Sequence, residues 1–226
     1  MVKSFLIIII CKIFLFAGEQ IILVVADDFN SQKATLSCFE NGKKVFDSFE
    51  VNMGKNGLAY GLGEVELLHN SQDLIKQEGD NRSPIGIFTL DSAFGYKQEM
   101  DIKIPYLYAS RELICVDDPN SNLYNKIVEM PKKAPKSFEL MRRDDNQYAL
   151  GIVVGHNKEQ LSGAGSCIFL HIKSPDETPT AGCTSMKYLE IEQIVHWLDK
   201  SKNPTLIQIV RSQREEILKL YSDLDI

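Results

Sequence analysis

The chain has 226 residues, a hydrophobic content of 44% and a formal net charge of −6. This length predicts one globular domain with short appendages at most. The negative charge argues against a surface built for phosphates, so no nucleic-acid partner is expected. Strands and helices do not alternate regularly and no glycine-rich phosphate loop is found, which argues against a nucleotide-dependent enzyme.

The first 18 residues have the pattern of a secretory signal peptide. Lys3 supplies a positive start, and residues 5–17 are apolar except for Lys12. Such a run is too short to span a bilayer and is typical of export to an oxidising compartment. An uncleaved anchor stays open as the alternative, because Lys12 interrupts the run. We expect a signal peptide over residues 1–18, a periplasmic or cell-envelope protein, and membrane association through this segment only.

The remaining residues, 19–226, are expected to form the functional domain, and strands come first in chain order. Residues Gln20–Ala26, which are apolar after Gln20, predict a strand, and Asn41-Gly42 predicts a hairpin between residues 34–40 and 44–51. Six more strands are predicted at 84–90, 102–109, 112–116, 150–155, 167–172 and 205–210.

Two helices are predicted near the C-terminus. Apolar residues recur at helical spacing over residues 188–198. Ser212 and Glu215 have the spacing of a capping box for a last helix that ends near Tyr221. The predicted fold class is therefore mainly β with a few helices (α+β).

The chain has five cysteines, which limit the number of disulfides. Cys11 leaves with the signal peptide, and Cys38, Cys115, Cys167 and Cys183 remain. Two disulfides would use all four of these cysteines. A reactive Cys183 leaves at most one disulfide, whose pairing the sequence does not decide.

The strongest candidate for chemistry is Cys183, which ends the stretch Thr180-Ala-Gly-Cys183. It follows His171, the end of an apolar strand, by twelve residues. A thiol reacts as its thiolate and needs a nearby base, so His171 is the predicted base and His156, after the preceding strand, its rival. Gly182 favours a turn that exposes the thiol. The amides of Gly182 and Cys183 are candidates for an oxyanion hole just before a helix.

Two other interpretations of these residues stay open. In the first, Cys183 is a buried structural cysteine or half of a disulfide. In the second, His156, His171 and a cysteine bind zinc. Zinc sites usually contain closely spaced ligand pairs such as Cys-x-x-Cys, and the chain has none, so no metal is predicted.

Two motifs resemble those of the L,D-transpeptidases, the YkuD-like catalytic domain family. His171 followed by residues 180–183 is similar to the strand His and Ser/Thr-x-Gly-Cys of that family. Residues 79–88, from Gly-Asp to Ser-Pro-Ile-Gly-Ile-Phe, are similar to its Gly-Asp…Thr-Pro-x-Gly-x-Phe segment. Ala181 stands where the family has His, and Ser185 where it has Arg or Asn. The chain thus resembles a divergent branch.

The resemblance implies a YkuD-like β-sandwich and cysteine-dependent acyl transfer on peptidoglycan stem peptides, in cell-wall biogenesis and the control of cell shape. Cys183 would carry the acyl group as a thioester, His171 would move the proton, and an amine would accept the acyl group. No cofactor is implied. The alternatives are an L,D-carboxypeptidase or amidase on the same scaffold, or a non-catalytic cell-wall-binding module.

Substrate contacts are expected from residues around the cysteine and from the polar turns. These residues are His156, Thr180, Ala181, Thr184, Arg82, Asp117 and Asp118. For Arg82 and the two aspartates, turn formation and surface solvation are the alternative roles.

Overall fold

The computed structural model describes residues 19–224, so the predicted signal peptide lies outside the described residues. Within this range the chain forms fourteen strands, two α-helices and two 3₁₀ turns. The strands are β1 (Gln20–Ala26), β2 (Lys33–Glu40), β3 (Lys43–Lys44), β4 (Phe49–Asn52), β5 (Leu58–Tyr60), β6 (Ser83–Gly95), β7 (Tyr106–Tyr108), β8 (Leu113–Cys115), β9 (Ile127–Glu129), β10 (Glu139–Leu140), β11 (Leu150–Val154), β12 (Phe169–Ile172), β13 (Thr184–Met186) and β14 (Thr205–Val210). The helices are α1 (Tyr188–Trp197) and α2 (Arg214–Leu220), and the 3₁₀ turns are Lys200–Lys202 and Arg211–Gln213.

Eight strands form one closed circuit of backbone pairings. The order is β1, β14, β6, β11, β12, β13, β4 and β2, and β2 pairs with β1 again. Within this circuit β12 and β13 run parallel, as do β1 and β14. The prediction of a mainly β protein with few helices is confirmed. The main sheet closes on itself, whereas a sandwich of two separate sheets was expected.

The interior of this closed sheet is the main hydrophobic core. Alternating side chains from opposite walls fill it, among them Leu36, Ile152 and Ile207, each 0% exposed. Burying one such side chain stabilises the fold by about 1.5–3 kcal/mol. Helix α1 adds the buried side chains Ile191 and Ile194, on the face that the periodicity predicted.

The predicted hairpin at Asn41-Gly42 is confirmed. Asn41 has φ +52° and Gly42 has φ +75°, the left-handed values that a two-residue hairpin turn requires. The second predicted strand, 44–51, is broken in two. Only β3 continues the hairpin, and β4 then pairs with β2 from Lys33 to Leu36.

Three other predicted elements differ from the structure. The strand predicted at 102–109 is reduced to β7, and the one predicted at 167–172 begins only at Phe169. Cys167 has φ +54°, which is incompatible with a strand. The capping box predicted at Ser212 is absent, because a 3₁₀ turn precedes α2 and the Gln213 side chain accepts the Val210 N–H at 3.1 Å.

A second sheet covers part of the outer face of the first. Strands β10, β8 and β9 form it, all antiparallel. Between the two sheets lies a smaller apolar cluster that contains Phe94, Tyr148 and Phe169. The Cys115–Cys167 disulfide joins β8 to the segment before β12. Cys38 and Cys183 are free, in agreement with the expectation of at most one disulfide beside a free Cys183. In the part of the chain described, no helix has the length and apolar character to cross a membrane.

Candidate active site

Strands β12 and β13 put Cys183 and His171 on the same face of the main sheet. Leu170 pairs with Thr184 and His171 with Ser185, and Cys183 immediately precedes β13. Leu170 points into the main core, so His171 points outward, because side chains alternate along a strand. Cys183 and His171 are one strand and two residues apart in this register. Adjacent strands are about 4.8 Å apart and two residues span about 6.6 Å along a strand, so the Cα atoms of Cys183 and His171 are roughly 8 Å apart. An imidazole and a thiol on one face can meet across that gap.

The thiol of Cys183 is buried beneath the second sheet, with 8% of the residue exposed. Its Sγ accepts the Phe169 N–H at 3.3 Å and donates to the Cys167 carbonyl at 3.5 Å. Burial foremost, and then the negative charge of Glu139, raise the pKa of the thiol to about 12. The expectation of an exposed thiol poised as thiolate is therefore wrong for this state, because strands β8–β10 cover the turn.

His171 is oriented as a base. Its Nδ1 lies 2.8 Å from the carbonyl oxygen of Ile172, which can only accept, so Nδ1 carries the hydrogen. The neutral ring then has the lone pair on Nε2. Burial lowers the pKa of His171 to about 4. Among the described contacts the Cys183 thiol bonds to backbone rather than to this ring, so the two groups share a face without a hydrogen bond.

A turn closed by Thr180 holds Cys183. The Thr180 Oγ1 accepts the Gly182 N–H at 3.1 Å and donates to the Cys183 carbonyl at 2.6 Å. The Gly182 amide is thus engaged in this structure, which favours the Cys183 amide as the oxyanion-hole donor. Helix α1 begins only at Tyr188, after β13, so no helix N-terminus lies directly behind the thiol.

The structure brings the two sequence motifs into contact at this turn. Ser83, at the start of β6, donates its hydroxyl to the Cys183 carbonyl at 3.0 Å and accepts the Gly54 N–H at 2.9 Å. The Arg82 carbonyl oxygen lies 3.1 Å from the place where a Cβ on Gly182 would be, and Gly182 has φ +149°. Only glycine fits this approach without strain. Ser83 was not predicted as a site residue, although it lies within the second motif.

Other predicted substrate-binding side chains are used by the fold. The Thr184 hydroxyl is buried and donates to Gln208 Oε1 at 2.7 Å, so it faces the core. The Arg82 guanidinium donates to the carbonyls of Phe29 and Leu58, at 3.3 and 3.1 Å. Ala181 is exposed beside the turn. Thr184 and Arg82 therefore have structural partners in place of a substrate.

The two predicted aspartates have different surroundings. The Asp118 carboxylate accepts the N–H groups of Asn120 and Lys136, at 3.0 and 3.1 Å, and the first of these bonds is the main cause of its lowered pKa. This is the turn-forming role. Asp117 Oδ1 is buried with no hydrogen-bond partner among the described residues. The Asp117 charge also contributes to the raised pKa of Glu139, whose main cause is burial.

His156, the rival base, has both ring nitrogens occupied. Nδ1 accepts the Leu62 N–H at 3.2 Å, and Nε2 donates to the Ala164 carbonyl at 3.0 Å. Burial lowers the pKa of His156 to about 4. Its ring packs edge-on against Phe88. With both ring nitrogens engaged, the His156 side chain joins two loops in this structure, which favours a structural role for it over that of a base or substrate ligand.

Tyr148 and Glu139 are neighbours of the site that the sequence did not reveal. The Tyr148 hydroxyl donates to Glu139 Oε2 at 2.6 Å, and its ring lies 5.3 Å from that of His171, edge to face. The Arg143 guanidinium lies 5.0 Å from the centroid of the Tyr148 ring and forms an ion pair with Asp145. The tyrosine therefore links the covering sheet to the predicted base.

A separate cleft of about 560 Å³ opens between residues 60–69 and 155–161, and neither Cys183 nor His171 lines it. Cys183 is 8% exposed and His171 4% exposed, so the cysteine site is closed in this structure. Among residues 19–224, no three His, Cys, Asp or Glu side chains are placed to hold a metal ion.

Comparisons with known proteins give no relative: no family model, curated protein or solved structure matches the chain.

Proposed function

We propose that this protein performs cysteine-dependent acyl transfer on peptidoglycan stem peptides, as a divergent L,D-transpeptidase. The observation that carries the proposal is the arrangement of His171 and Cys183. The two side chains share one face of adjacent strands, and the Ile172 carbonyl fixes the imidazole with Nε2 free. A free thiol with such a base can form an acyl-enzyme.

The contact between the two motifs is the second support. Ser83 and Arg82 belong to residues 79–88: the Ser83 hydroxyl donates to the Cys183 carbonyl, and the Arg82 carbonyl lies close against Gly182. Segments nearly one hundred residues apart in the chain thus build one site, as a shared function requires. The finer fold assignment, a YkuD-like β-sandwich, is part of this proposal. The second sheet packed on the first is compatible with it.

The reaction begins with proton transfer within the site. The thiol S–H bond breaks, its electron pair stays on sulfur, and Nε2 of His171 takes the proton. The thiolate attacks the carbonyl carbon of the third stem residue, at its L-centre. The Cys183 N–H stabilises the tetrahedral oxyanion. The imidazolium then protonates the departing amine of the terminal D-residue, which leaves Cys183 as a thioester.

The second half of the reaction releases the enzyme. An acceptor amine attacks the thioester carbonyl, transfers a proton to His171 and forms a new amide, which is a cross-link. Water in place of the amine gives a carboxylate, which is trimming. No metal or organic cofactor enters either step.

The closed state must open before a stem peptide reaches the thiol. Sγ has to leave the Cys167 carbonyl, and the cover formed by Tyr148, Glu139 and strands β8–β10 has to move. Opening also admits water, which lowers the free-energy cost of forming the thiolate and the imidazolium. Substrate binding therefore supplies the free energy that activates this site.

The test is incubation of the folded protein with purified muropeptides, followed by mass spectrometry of the products. Loss of the terminal D-residue together with cross-linked dimers supports transpeptidation. Loss of the D-residue alone identifies the L,D-carboxypeptidase alternative. Absence of any product that depends on Cys183, with Cys183→Ser as control, would leave only the non-catalytic wall-binding module. The proposal places the protein in the periplasm or cell envelope, exported by residues 1–18.

A further inference from the structure

The cleft between residues 60–69 and 155–161 has no part in the proposed reaction. Its volume, about 560 Å³, lies within the roughly 300–1,000 Å³ that ligand-binding sites usually have. Its lining is mainly apolar and includes Tyr60, Leu62, Leu67, Ile75, Ile85 and Leu161. A cleft of this size and lining can hold the apolar part of a ligand.

The walls of the cleft expose apolar side chains to solvent. Leu62, Ile75 and Leu161 line it and are 38%, 45% and 55% exposed. Leu68, which adjoins two lining residues in the chain, is 81% exposed. Soluble proteins rarely leave a contiguous apolar surface uncovered unless it binds something. A bound partner would remove these side chains from water.

Hydrogen bonds beneath the walls fix the two sides of the cleft to each other. His156 Nδ1 accepts the Leu62 N–H at 3.2 Å, and the Leu62 carbonyl accepts the Asn157 N–H at 2.9 Å. Asn157 Oδ1 in turn accepts the Leu161 N–H at 2.9 Å. The cleft is therefore formed before any ligand arrives, which reduces the entropy lost on binding.

The rim of the cleft is acidic. Glu64, Glu66 and Glu159 line it, and Lys158 is the only lysine or arginine among the described lining residues. The Lys158 Nζ lies 2.7 Å from Glu64 Oε1, so these two charges offset each other. The Glu66 side chain is 90% exposed, with only the His69 ring 3.8 Å away, and Glu159 is exposed without an ion pair to another described residue. The excess negative charge complements a cation.

We propose that this cleft binds a peptide segment of a partner protein in which aliphatic side chains adjoin a lysine or arginine. The aliphatic side chains cover Leu62, Ile75 and Leu161, and the cation lies against Glu66 and Glu159. Small ligands usually bury 70–90% of their surface, which walls as open as these do not permit for an alkyl chain. A peptide can cover the walls and keep its backbone at the surface. The inference does not depend on the proposed acyl transfer.

The experiment is fluorescence anisotropy of the labelled peptide Leu-Lys-Leu-Lys-Leu, titrated with the folded protein. Two comparison peptides have Ser in place of Leu, or Glu in place of Lys. Leu161→Ser tests the apolar wall, and its control is Leu220→Ser, on a residue of α2 that is 47% exposed and outside the cleft. Melting temperatures check that each variant is folded.

The acidic rim has its own matched pair of variants. Glu66→Gln/Glu159→Gln removes the two carboxylates beside the expected cation. Glu99→Gln/Glu112→Gln makes the same change in net charge at exposed residues outside the cleft. A long-range effect of net charge would be equal in the two double variants, whereas a local contact affects only the first.

Leu161→Ser should weaken binding by about tenfold and Leu220→Ser should leave it unchanged. Glu66→Gln/Glu159→Gln should weaken it by about threefold in low salt and less in high salt, with no change in Glu99→Gln/Glu112→Gln. Both comparison peptides should bind more weakly than Leu-Lys-Leu-Lys-Leu. Absence of saturable binding, or equal losses in the test and control variants, would overturn the inference.

Two other occupants of the cleft give different results. A dimer in sedimentation that Leu161→Ser dissociates would assign the cleft to a second copy of the chain. Dodecylamine that binds more tightly than the peptide, and competes with it, would assign the cleft to a lipid. Either result would overturn the inference, whereas a monomer that prefers the peptide supports it.

Discussion

The Cys115–Cys167 disulfide should supply a large part of the folding stability. It closes a loop of 52 residues. In the loop-entropy treatment, a cross-link over that length stabilises the native state by about 4 kcal/mol. For a domain of this size, each kcal/mol changes the melting temperature by roughly 2–4 °C, so loss of the bond should lower it by roughly 8–16 °C.

The assay is thermal unfolding for the melting temperature and urea unfolding for the free energy, both on Cys115→Ala/Cys167→Ala under non-reducing conditions. Cys38→Ala is the matched control: Cys38 and Cys115 are both 1% exposed and Cys167 is 3% exposed, but Cys38 is not cross-linked. Each substitution removes a buried sulfur, and only the pair removes a covalent bond. If the double variant loses no more than twice the unfolding free energy that Cys38→Ala loses, the cross-link does not supply this stability.

The same double variant should change the site. Cys167 keeps a left-handed φ of +54°, and its carbonyl accepts the Cys183 S–H. Without the disulfide, strands β8–β10 lose a covalent attachment beside the thiol. We expect Cys183 to be alkylated faster while Cys38 is unchanged. Equal acceleration of both thiols would indicate global unfolding instead.

Four further outcomes are expected. Cys183→Ser should abolish turnover with the fold intact by circular dichroism, because a serine hydroxyl ionises far less readily; activity near that of the native protein would contradict the mechanism. His171→Ala should lower both turnover and the rate at which iodoacetamide labels Cys183, whereas His156→Ala should mainly lower the free energy of unfolding in urea. The reverse pattern would make His156 the base and His171 the structural residue. Gly182→Ala should cost about 1–3 kcal/mol in urea unfolding, because of its φ of +149° and the Arg82 carbonyl beside it; unchanged stability would be inconsistent with this turn. Burial lowers the pKa of His156 and His171 from 6.5 to about 4, so the unfolded chain takes up protons at a higher pH than the folded protein. The free energy of unfolding should therefore fall as pH decreases from 6.5 to 4, by roughly 3 kcal/mol per ring. A constant free energy of unfolding over that range would contradict the burial of these rings.

Local sequence signals located much of the fold. Gln20–Ala26 is strand β1 as predicted, because seven consecutive residues carry the pattern of a buried strand. The hairpin follows from Asn41-Gly42, since few other pairs accept two left-handed residues. Helix α1 was predictable because its apolar residues recur at helical spacing.

Features set by distant pairing were not predictable. Strand β13 has only three residues and no pattern of its own; it forms because β12 and β4 flank it. The disulfide joins cysteines far apart in the chain, and the sequence left its pairing open. The sequence left open whether Cys183 is an exposed reactive thiol, a buried structural cysteine or half of a disulfide. The structure shows a free and buried thiol, and the covering strands β8 and β10 come from residues 113–140, which no local pattern links to Cys183.

Intact-protein mass spectrometry after incubation with a tetrapeptide stem detects a thioester on Cys183 directly. We expect a mass increase equal to the stem without its terminal D-residue, attached to Cys183 and absent from Cys183→Ser. A pentapeptide stem should give no such adduct, and a carbapenem, which acylates the family that the sequence resembles, should modify the same cysteine. An adduct formed only with pentapeptide, or one that persists in Cys183→Ser, would contradict a thioester at Cys183.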